Sequence, residues 1–336
     1  MIVSLSSRDP WLQWALRVVG LLVIGAIAFL AYTVWQGERQ AKQGSLASRA
    51  IANLEEQVRK DPQNPDYRVI LGDALRDIGS HAAAIEQYEA ALELAPDNPG
   101  AMSGLAIVAM NRQEWRTAEG YWQQAIEILS KNKFAAQDLR LEKAYYYYGV
   151  TLMQVAEYED AIAYLKEALR IKRSDADTHY ALAVAYREIG SIPNQRRSLE
   201  AALAFVPSMP EANYDLGLLL VAEGDEAGAA ELFRRAVDNF PGKPEPLAEL
   251  EKLGPYEDRM AAAESLAATD REAALLEARV ALALQPDSVD AARLVARLLQ
   301  QLDQPEEAKA AWNRVLDMAP GDSEATEALK VLGGDA

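Results

Sequence analysis

Alanine recurs along this chain at intervals of 34 residues, and this period constrains the fold more than any other feature. Seven units align at this period, beginning at residues 65, 99, 142, 176, 210, 255 and 289. Six of the seven have alanine at the twentieth position, and six have it at the twenty-seventh. A period of this length is typical of two antiparallel helices that bury their apolar faces against neighbouring units. We therefore predict an all-α fold, an α-solenoid of stacked helix pairs.

The first unit, residues 65–98, shows the pattern most completely. Small residues at its eighth, twentieth and twenty-seventh positions would let helices approach closely, large residues would fill the remaining space, and a late proline would end the second helix. These positions hold Leu71, Gly72, Leu75, Ala84, Tyr88, Ala91 and Pro96. The fourth unit departs from the pattern, because Gln195 stands where a small residue is expected.

These residues match the consensus of the tetratricopeptide repeat, and the chain resembles a membrane-anchored bacterial tetratricopeptide-repeat protein. The resemblance implies a right-handed superhelix whose concave surface, lined by the first helices, holds peptides or partner domains. Residues 51–98 are also similar to the chaperone domain of cytochrome c maturation proteins, which holds the apocytochrome before haem attachment. This chain continues well beyond the usual length of that domain.

The repeat register predicts the organisation of the whole chain. A half-repeat helix should precede the array, an insert should separate its second and third units, and a capping helix should follow its last unit, as terminal repeats require. The predicted segments are an N-terminal transmembrane anchor (1–35), a linker and half-repeat helix (36–64), five units (65–243) with an insert at 133–141, an interruption (244–254), two further units (255–322), and a capping helix with tail (323–336).

An uncharged run at residues 18–34 predicts the anchor. At ~1.5 Å per residue the run is ~26 Å long, close to the thickness of the bilayer core. Aromatic residues flank it, so we expect residues 11–35 to contact the membrane. Three positive charges lie on either side, so the charge distribution leaves the orientation open. We expect a single-pass protein of the cytoplasmic (inner) membrane with an extracytoplasmic array.

The composition excludes several classes of function. Asp and Glu outnumber Lys and Arg by 51 to 34, giving a formal net charge of −17, which argues against a nucleic-acid binder. Cysteine is absent, and the two histidines, His81 and His179, lie in different units. We find no nucleophile motif, phosphate loop or set of metal ligands, so we predict no enzyme activity, cofactor or metal.

A candidate partner groove lies on the first helices of three consecutive units. Tyrosine occupies their fifth position and aliphatic residues their ninth, which would suit an extended segment or an apolar helix face. Tyrosine there is also common in this repeat, so packing between neighbouring units is an alternative. The apolar ninth positions argue against a clamp for a terminal carboxylate. The groove residues are Tyr146, Val150, Met153, Tyr180, Val184, Arg187, Tyr214, Leu218 and Val221.

The insert at 133–141 suggests a second contact surface. Basic residues cluster around it in an otherwise acidic chain and could dock an acidic partner or lipid headgroups, although a solvated helix extension would look the same. They are Lys131, Lys133, Arg140 and Lys143. We predict an anchored scaffold that binds proteins or peptides and supports assembly of a membrane or envelope complex. The alternatives are a chaperone for cytochrome c maturation or for secreted proteins, and a structural subunit of a membrane complex.

Overall fold

The computed structural model describes residues 46–333, which form 17 α-helices, one short 3₁₀ helix and no β-strand. The chain divides into two compact units between Lys131 and Asn132. In chain order the helices are α1 (Leu46–Lys60), α2 (Pro65–Asp77), α3 (His81–Leu94), α4 (Pro99–Asn111), α5 (Trp115–Ser130), α6 (Leu139–Gln154), α7 (Tyr158–Ile171), α8 (Ala176–Glu188), α9 (Ile192–Phe205), α10 (Pro210–Glu223), α11 (Glu226–Asn239), α12 (Pro244–Lys252), α13 (Tyr256–Leu266), α14 (Arg271–Leu284), α15 (Val289–Gln301), α16 (Pro305–Met318) and α17 (Ser323–Val331).

No helix between residues 46 and 333 combines the length and the apolar character that crossing a bilayer requires. The predicted anchor at residues 11–35 lies outside the described residues.

The small positions of the repeat are where the helices meet. All twelve alanines at the twentieth and twenty-seventh positions are at most 1% exposed. Glycine at the eighth position has the same role. A Cβ atom on Gly72 would lie 2.6 Å from the Tyr88 ring, and one on Gly217 would lie 2.6 Å from the Phe233 ring. The sequence prediction of an all-α array of helix pairs is therefore confirmed.

Polar N-caps and left-handed turns set the ends of the helices. The side chain of Asn98, for example, accepts the backbone N–H of Ala101 at 3.0 Å, which satisfies one of the free donors at the start of α4. In six of the seven units the residue at the fifteenth position has a positive φ, which lets the chain turn sharply between the two helices. Three of these six are not glycine: Gln113, Ala156 and Asp303.

The insert is partly helical. Residues Ala135–Gln137 form the 3₁₀ helix. The side chain of Asp138 then accepts the backbone N–H of Arg140 at 2.9 Å, so that α6 begins at Leu139, three residues before the aligned unit. Capping by Asp138 explains this early start, because it satisfies a donor that the first turn would otherwise leave free.

The interruption at 244–254 changes how neighbouring repeats pack. Elsewhere in each compact unit, the second helix of a repeat packs on the first helix of the next. Here α11 packs on the nine-residue α12 and directly on α14, the second helix of the following repeat. Phe233 of α11, Leu250 of α12 and Val280 of α14 share one buried cluster. A helix as short as α12 leaves part of α11 uncovered, and α14 covers the remainder.

Arginines hold this irregular junction together. Arg259 of α13 forms ion pairs with Glu277 of α14 (2.9 Å) and Glu226 of α11 (2.6 Å), and its Nε donates to the Leu253 carbonyl at 2.7 Å. Arg234 of α11 donates to the carbonyls of Ala283 and Leu284 at the end of α14. Residues 244–254 therefore lie within one compact unit.

Candidate functional site

The predicted groove residues lie on α6, α8 and α10, the first helices of three successive repeats. Those on α6 and most of those on α8 are half-buried. Tyr146 and Met153 pack against a buried cluster that includes residues of α7 and α8. Burial and the nearby carboxylate of Asp177 raise the pKa of Tyr146 to about 12. The groove residues on α6 thus contribute to packing between repeats.

On α10 two of the three groove residues are exposed to solvent. Tyr214, Leu218 and Val221 are spaced four and three residues apart and so lie on one face of the helix. Leu218 is 37% exposed and Val221 is 41% exposed, while Tyr214 is half-buried with its ring 6.0 Å from that of Phe233. Exposed aliphatic side chains beside aromatic rings are typical of surfaces that bind peptides.

The polar centre of this surface is Asp215, which the sequence analysis did not select. It is 8% exposed, and its Oδ2 accepts hydrogen bonds from the Tyr180 hydroxyl and the Arg187 guanidinium, both at 3.2 Å. Within residues 46–333, no hydrogen bond reaches its Oδ1. Burial raises the pKa of Asp215 and outweighs the opposing effect of Arg187. Burial and the adjacent carboxylate of Asp215 also raise the pKa of Tyr180.

A cavity of about 230 Å³ lies beside Asp215. It is formed where α8, the start of α10 and the chain leading into α12 meet. The residues that line it are Tyr180, Pro210, Glu211, Tyr214, Asp215, Phe240, Lys243, Glu245 and Pro246. Two predicted groove residues, Tyr180 and Tyr214, therefore line the same cavity as the buried carboxylate of Asp215. Asp215 follows Tyr180 by one repeat period plus one residue, but this spacing does not by itself mark a buried carboxylate.

A second cavity, of about 430 Å³, lies between α11, α14, α15 and α16. Its floor is apolar and includes Leu282, Val295 and Leu299. Arginines line it and are engaged with neighbouring groups, as in the 2.6 Å ion pair between Arg279 and Glu307. We interpret these pairs as part of the packing between repeats.

Three of the four basic residues near the insert have local partners. In the first compact unit, Lys131 pairs with Glu127 at 2.9 Å. In the second, Arg140 pairs with Asp138 at 2.8 Å, and Lys133 lies 5.8 Å from the centre of the Phe134 ring. Lys143 is exposed. A docking role for these residues stays a prediction.

The two histidines belong to different compact units. His81 begins α3 in the first compact unit. His179 lies on α8, with Nε2 2.9 Å from the Arg173 carbonyl. Among residues 46–333, no three histidines, aspartates or glutamates are grouped so that they could hold a metal ion.

Comparison with known proteins identifies the repeats. Family models described as "Tetratricopeptide repeat" and "TPR repeat" match residues 36–99 with 180–244, and residues 149–190, respectively. The chain therefore contains tetratricopeptide repeats, as its 34-residue period predicts. Proteins with this fold are generally scaffolds for protein–protein interaction without enzymatic activity.

Two curated relatives share part of the array. The E3 ubiquitin-protein ligase CHIP of Arabidopsis thaliana is 26% identical over 121 residues, which are 36% of this chain and 40% of that protein. The Cell division cycle protein 16 homolog of Homo sapiens is 26% identical over 110 residues, 32% of this chain and 17% of that protein. The chain thus spans less than half the length of either relative.

Solved structures that match part of this chain include YrrB, described as a TPR protein with an unusual peptide-binding site. It is 17% identical and matches 58% of this chain and 96% of its own, with a TM-score of 0.48. The pilF protein of Pseudomonas aeruginosa is also 17% identical, and it matches 78% of this chain and 95% of its own with a TM-score of 0.47.

Proposed function

We propose that this chain is a scaffold that binds an extended segment of a partner protein on the surface formed by α8 and α10. The observation that carries the proposal is the exposed apolar face of α10, Leu218 and Val221, which continues through Tyr214 into the cavity beside Asp215. Such a surface combines apolar contact area with one buried polar group that can select a particular side chain.

We further propose that residues 11–35 anchor this scaffold in the cytoplasmic membrane, with the array on its outer side, where it supports assembly of a membrane or envelope complex. The uncharged run at residues 18–34 and its aromatic flanks support the anchor. Because the chain has no cysteine, a Gly334→Cys variant carries a single thiol. Labelling by an impermeant maleimide in intact spheroplasts is expected, with lysed cells as the control. Labelling only after lysis would place the array in the cytoplasm.

Peptide selection tests the binding surface. Random nonapeptides displayed on phage are selected on the purified full-length chain, and the affinity of the enriched peptides is then measured by fluorescence anisotropy. We expect Leu218→Glu to weaken their binding at least about tenfold, because a charge in the apolar contact must be desolvated.

The matched control is Leu276→Glu. Leu276 is a 49% exposed leucine on α14, so this variant adds the same charge outside the proposed surface and should bind as the wild type does. If no peptide is enriched, or if both variants bind equally well, α8 and α10 do not form the binding surface.

A further inference from the structure

We infer that the cavity beside Asp215 binds the side chain of a lysine or arginine in the partner segment. This inference rests on the proposed function, and it adds the chemical identity of the side chain that is recognised.

The walls of the cavity are suited to a cation. Three aromatic residues, Tyr180, Tyr214 and Phe240, are among those that line it. The face of an aromatic ring carries partial negative charge and attracts an ammonium or guanidinium group. Aromatic walls also cover the methylene groups of a long basic side chain, which reduces the apolar surface exposed to water.

The charges around the cavity also favour a cation. Three carboxylates, those of Glu211, Asp215 and Glu245, line it together with one basic residue, Lys243, and Arg187, outside the lining, pairs with Asp215 at 3.2 Å. Lys243 is already paired with Glu211 at 3.0 Å. The pKa of Tyr214 is raised by burial and then by the negative charges of Glu249, Asp215 and Glu245.

Asp215 supplies the specific contact. Arg187 and Tyr180 both donate to its Oδ2 at 3.2 Å, which is long for charge-assisted hydrogen bonds. Its Oδ1 is open to a further donor. A lysine or arginine of the partner would meet this need, whereas an apolar side chain would leave a buried carboxylate without full compensation and an acidic one would be repelled.

Lys243 shows the same chemistry within the chain. Its Nζ lies 5.1 Å from the centre of the Phe240 ring and 3.0 Å from a carboxylate oxygen of Glu211. An ammonium group is therefore already accommodated between a ring and a carboxylate at the edge of the cavity. Its positive charge should oppose the entry of a second cation, so its removal should strengthen binding.

The peptide selection described above also tests this inference. We expect one position of the enriched nonapeptides to be occupied by lysine or arginine. Enriched peptides without a basic residue at a fixed position would overturn the inference and leave the proposed binding surface in place. Failure to enrich any peptide would contradict the surface itself, so the two failures are distinguishable.

A mutant cycle then locates the contact. One enriched peptide and its counterpart with norleucine in place of the lysine are titrated into the wild type, Asp215→Asn and Lys243→Met. On the wild type, norleucine should weaken binding about 10- to 100-fold, the range expected for a charge-assisted hydrogen bond. On Asp215→Asn this penalty should be much smaller, and Lys243→Met should bind the lysine peptide a few times more tightly.

An equal penalty on the wild type and on Asp215→Asn would overturn the assignment to this carboxylate. If Asp215→Asn does not fold, two measurements still test the inference. They are the affinity of the norleucine peptide for the wild type and the affinity of the lysine peptide for Lys243→Met. Equal affinity of the two peptides for the wild type would exclude a cation-binding cavity.

Discussion

Each compact unit contains a network of one tyrosine, one aspartate and one arginine, and the two networks differ in which group is buried. In the first unit the Tyr88 hydroxyl and Arg76 both donate to Asp73 Oδ1 at 2.8 Å. Tyr88 is fully buried, whereas the Asp73 side chain is 44% exposed. In the second unit it is the carboxylate of Asp215 that is buried, with its side chain 10% exposed.

The networks also connect different parts of the fold. Tyr88 and Asp73 belong to the two helices of one repeat, whereas Tyr180 and Asp215 belong to the first helices of two neighbouring repeats. Short hydrogen bonds to a solvated carboxylate indicate a structural role for the first network. The second network has longer hydrogen bonds to a buried carboxylate beside a cavity, and this is the geometry on which the proposed contact with a ligand rests.

Replacing the tyrosine of each network with alanine should give the largest difference between the two networks in the free energy of unfolding. Tyr88→Ala should reduce the free energy of unfolding of the first unit by about 3–5 kcal/mol, because it removes a fully buried ring. Tyr180→Ala should cost the second unit only about 1–2 kcal/mol, since its ring is half-buried. Hydrogen exchange in increasing guanidinium chloride measures each unit separately. Similar losses at the two positions would remove the distinction between them.

The next largest expected effect on stability comes from the close packing around the Tyr88 ring. A Cβ atom on Gly104 would meet the Tyr88 ring even more closely than one on Gly72. Gly104→Ala should therefore destabilise the first unit by about 1–3 kcal/mol.

Gly120 provides the matched control. It lies within α5, and a Cβ atom there would meet nothing within 4 Å. Gly120→Ala should stabilise the unit by about 0.5–1 kcal/mol through helix propensity. A stabilising Gly104→Ala would show that the Tyr88 ring can move aside, in conflict with its structural role.

The pH dependence of stability should have opposite signs at two aspartates of the second unit, and it is the smallest effect we expect. Asp322 caps α17, and its pKa is lowered by the backbone N–H of Ala325 and by Arg293. It stabilises the fold above its unfolded pKa, and this contribution is lost as the pH falls through the folded value.

Asp215 has a raised pKa, so its charged form destabilises the fold. This loss of stability develops as the pH rises through the pKa of the folded state, and it is absent below the pKa of the unfolded state. The groups that influence its charge are Arg187, Tyr180, Glu211 and Lys243. At pH 7 Asp215→Asn should thus be more stable than the wild type and Asp322→Asn less stable, with both differences shrinking toward pH 3. Denaturant unfolding across this range measures both. A loss of stability at pH 7 in Asp215→Asn would contradict the raised pKa.

Much of the fold could be predicted from the sequence because its determinants recur. The small residues of each unit specify where helices touch, and the structure buries them there. Gln195 was recognisable as a departure, and its Oε1 is buried without a hydrogen-bond partner. The packing of α11 on α14 was not predictable, because the period stops at residue 244 and no neighbouring repeat shows what replaces it.

Only part of the candidate site could be predicted from the sequence, for a related reason. Tyr180 and Tyr214 stood out because they repeat at the same position, whereas Asp215 is a single carboxylate on a helix, where most carboxylates face water. Its burial depends on α8 lying beside α10 and on the chain at 240–246 closing one side of the cavity. These are tertiary contacts that a single repeat does not encode.

The proposed contact with a basic side chain depends most directly on the different roles of Asp73 and Asp215. The measurement that tests it is the affinity of one selected peptide for Asp215→Asn and for Asp73→Asn, determined under identical conditions by fluorescence anisotropy. We predict that Asp215→Asn weakens binding at least about tenfold and that Asp73→Asn binds as the wild type does. Unchanged binding by Asp215→Asn, or equal weakening by both variants, would contradict the assignment of Asp215 as the group that contacts the partner's basic side chain.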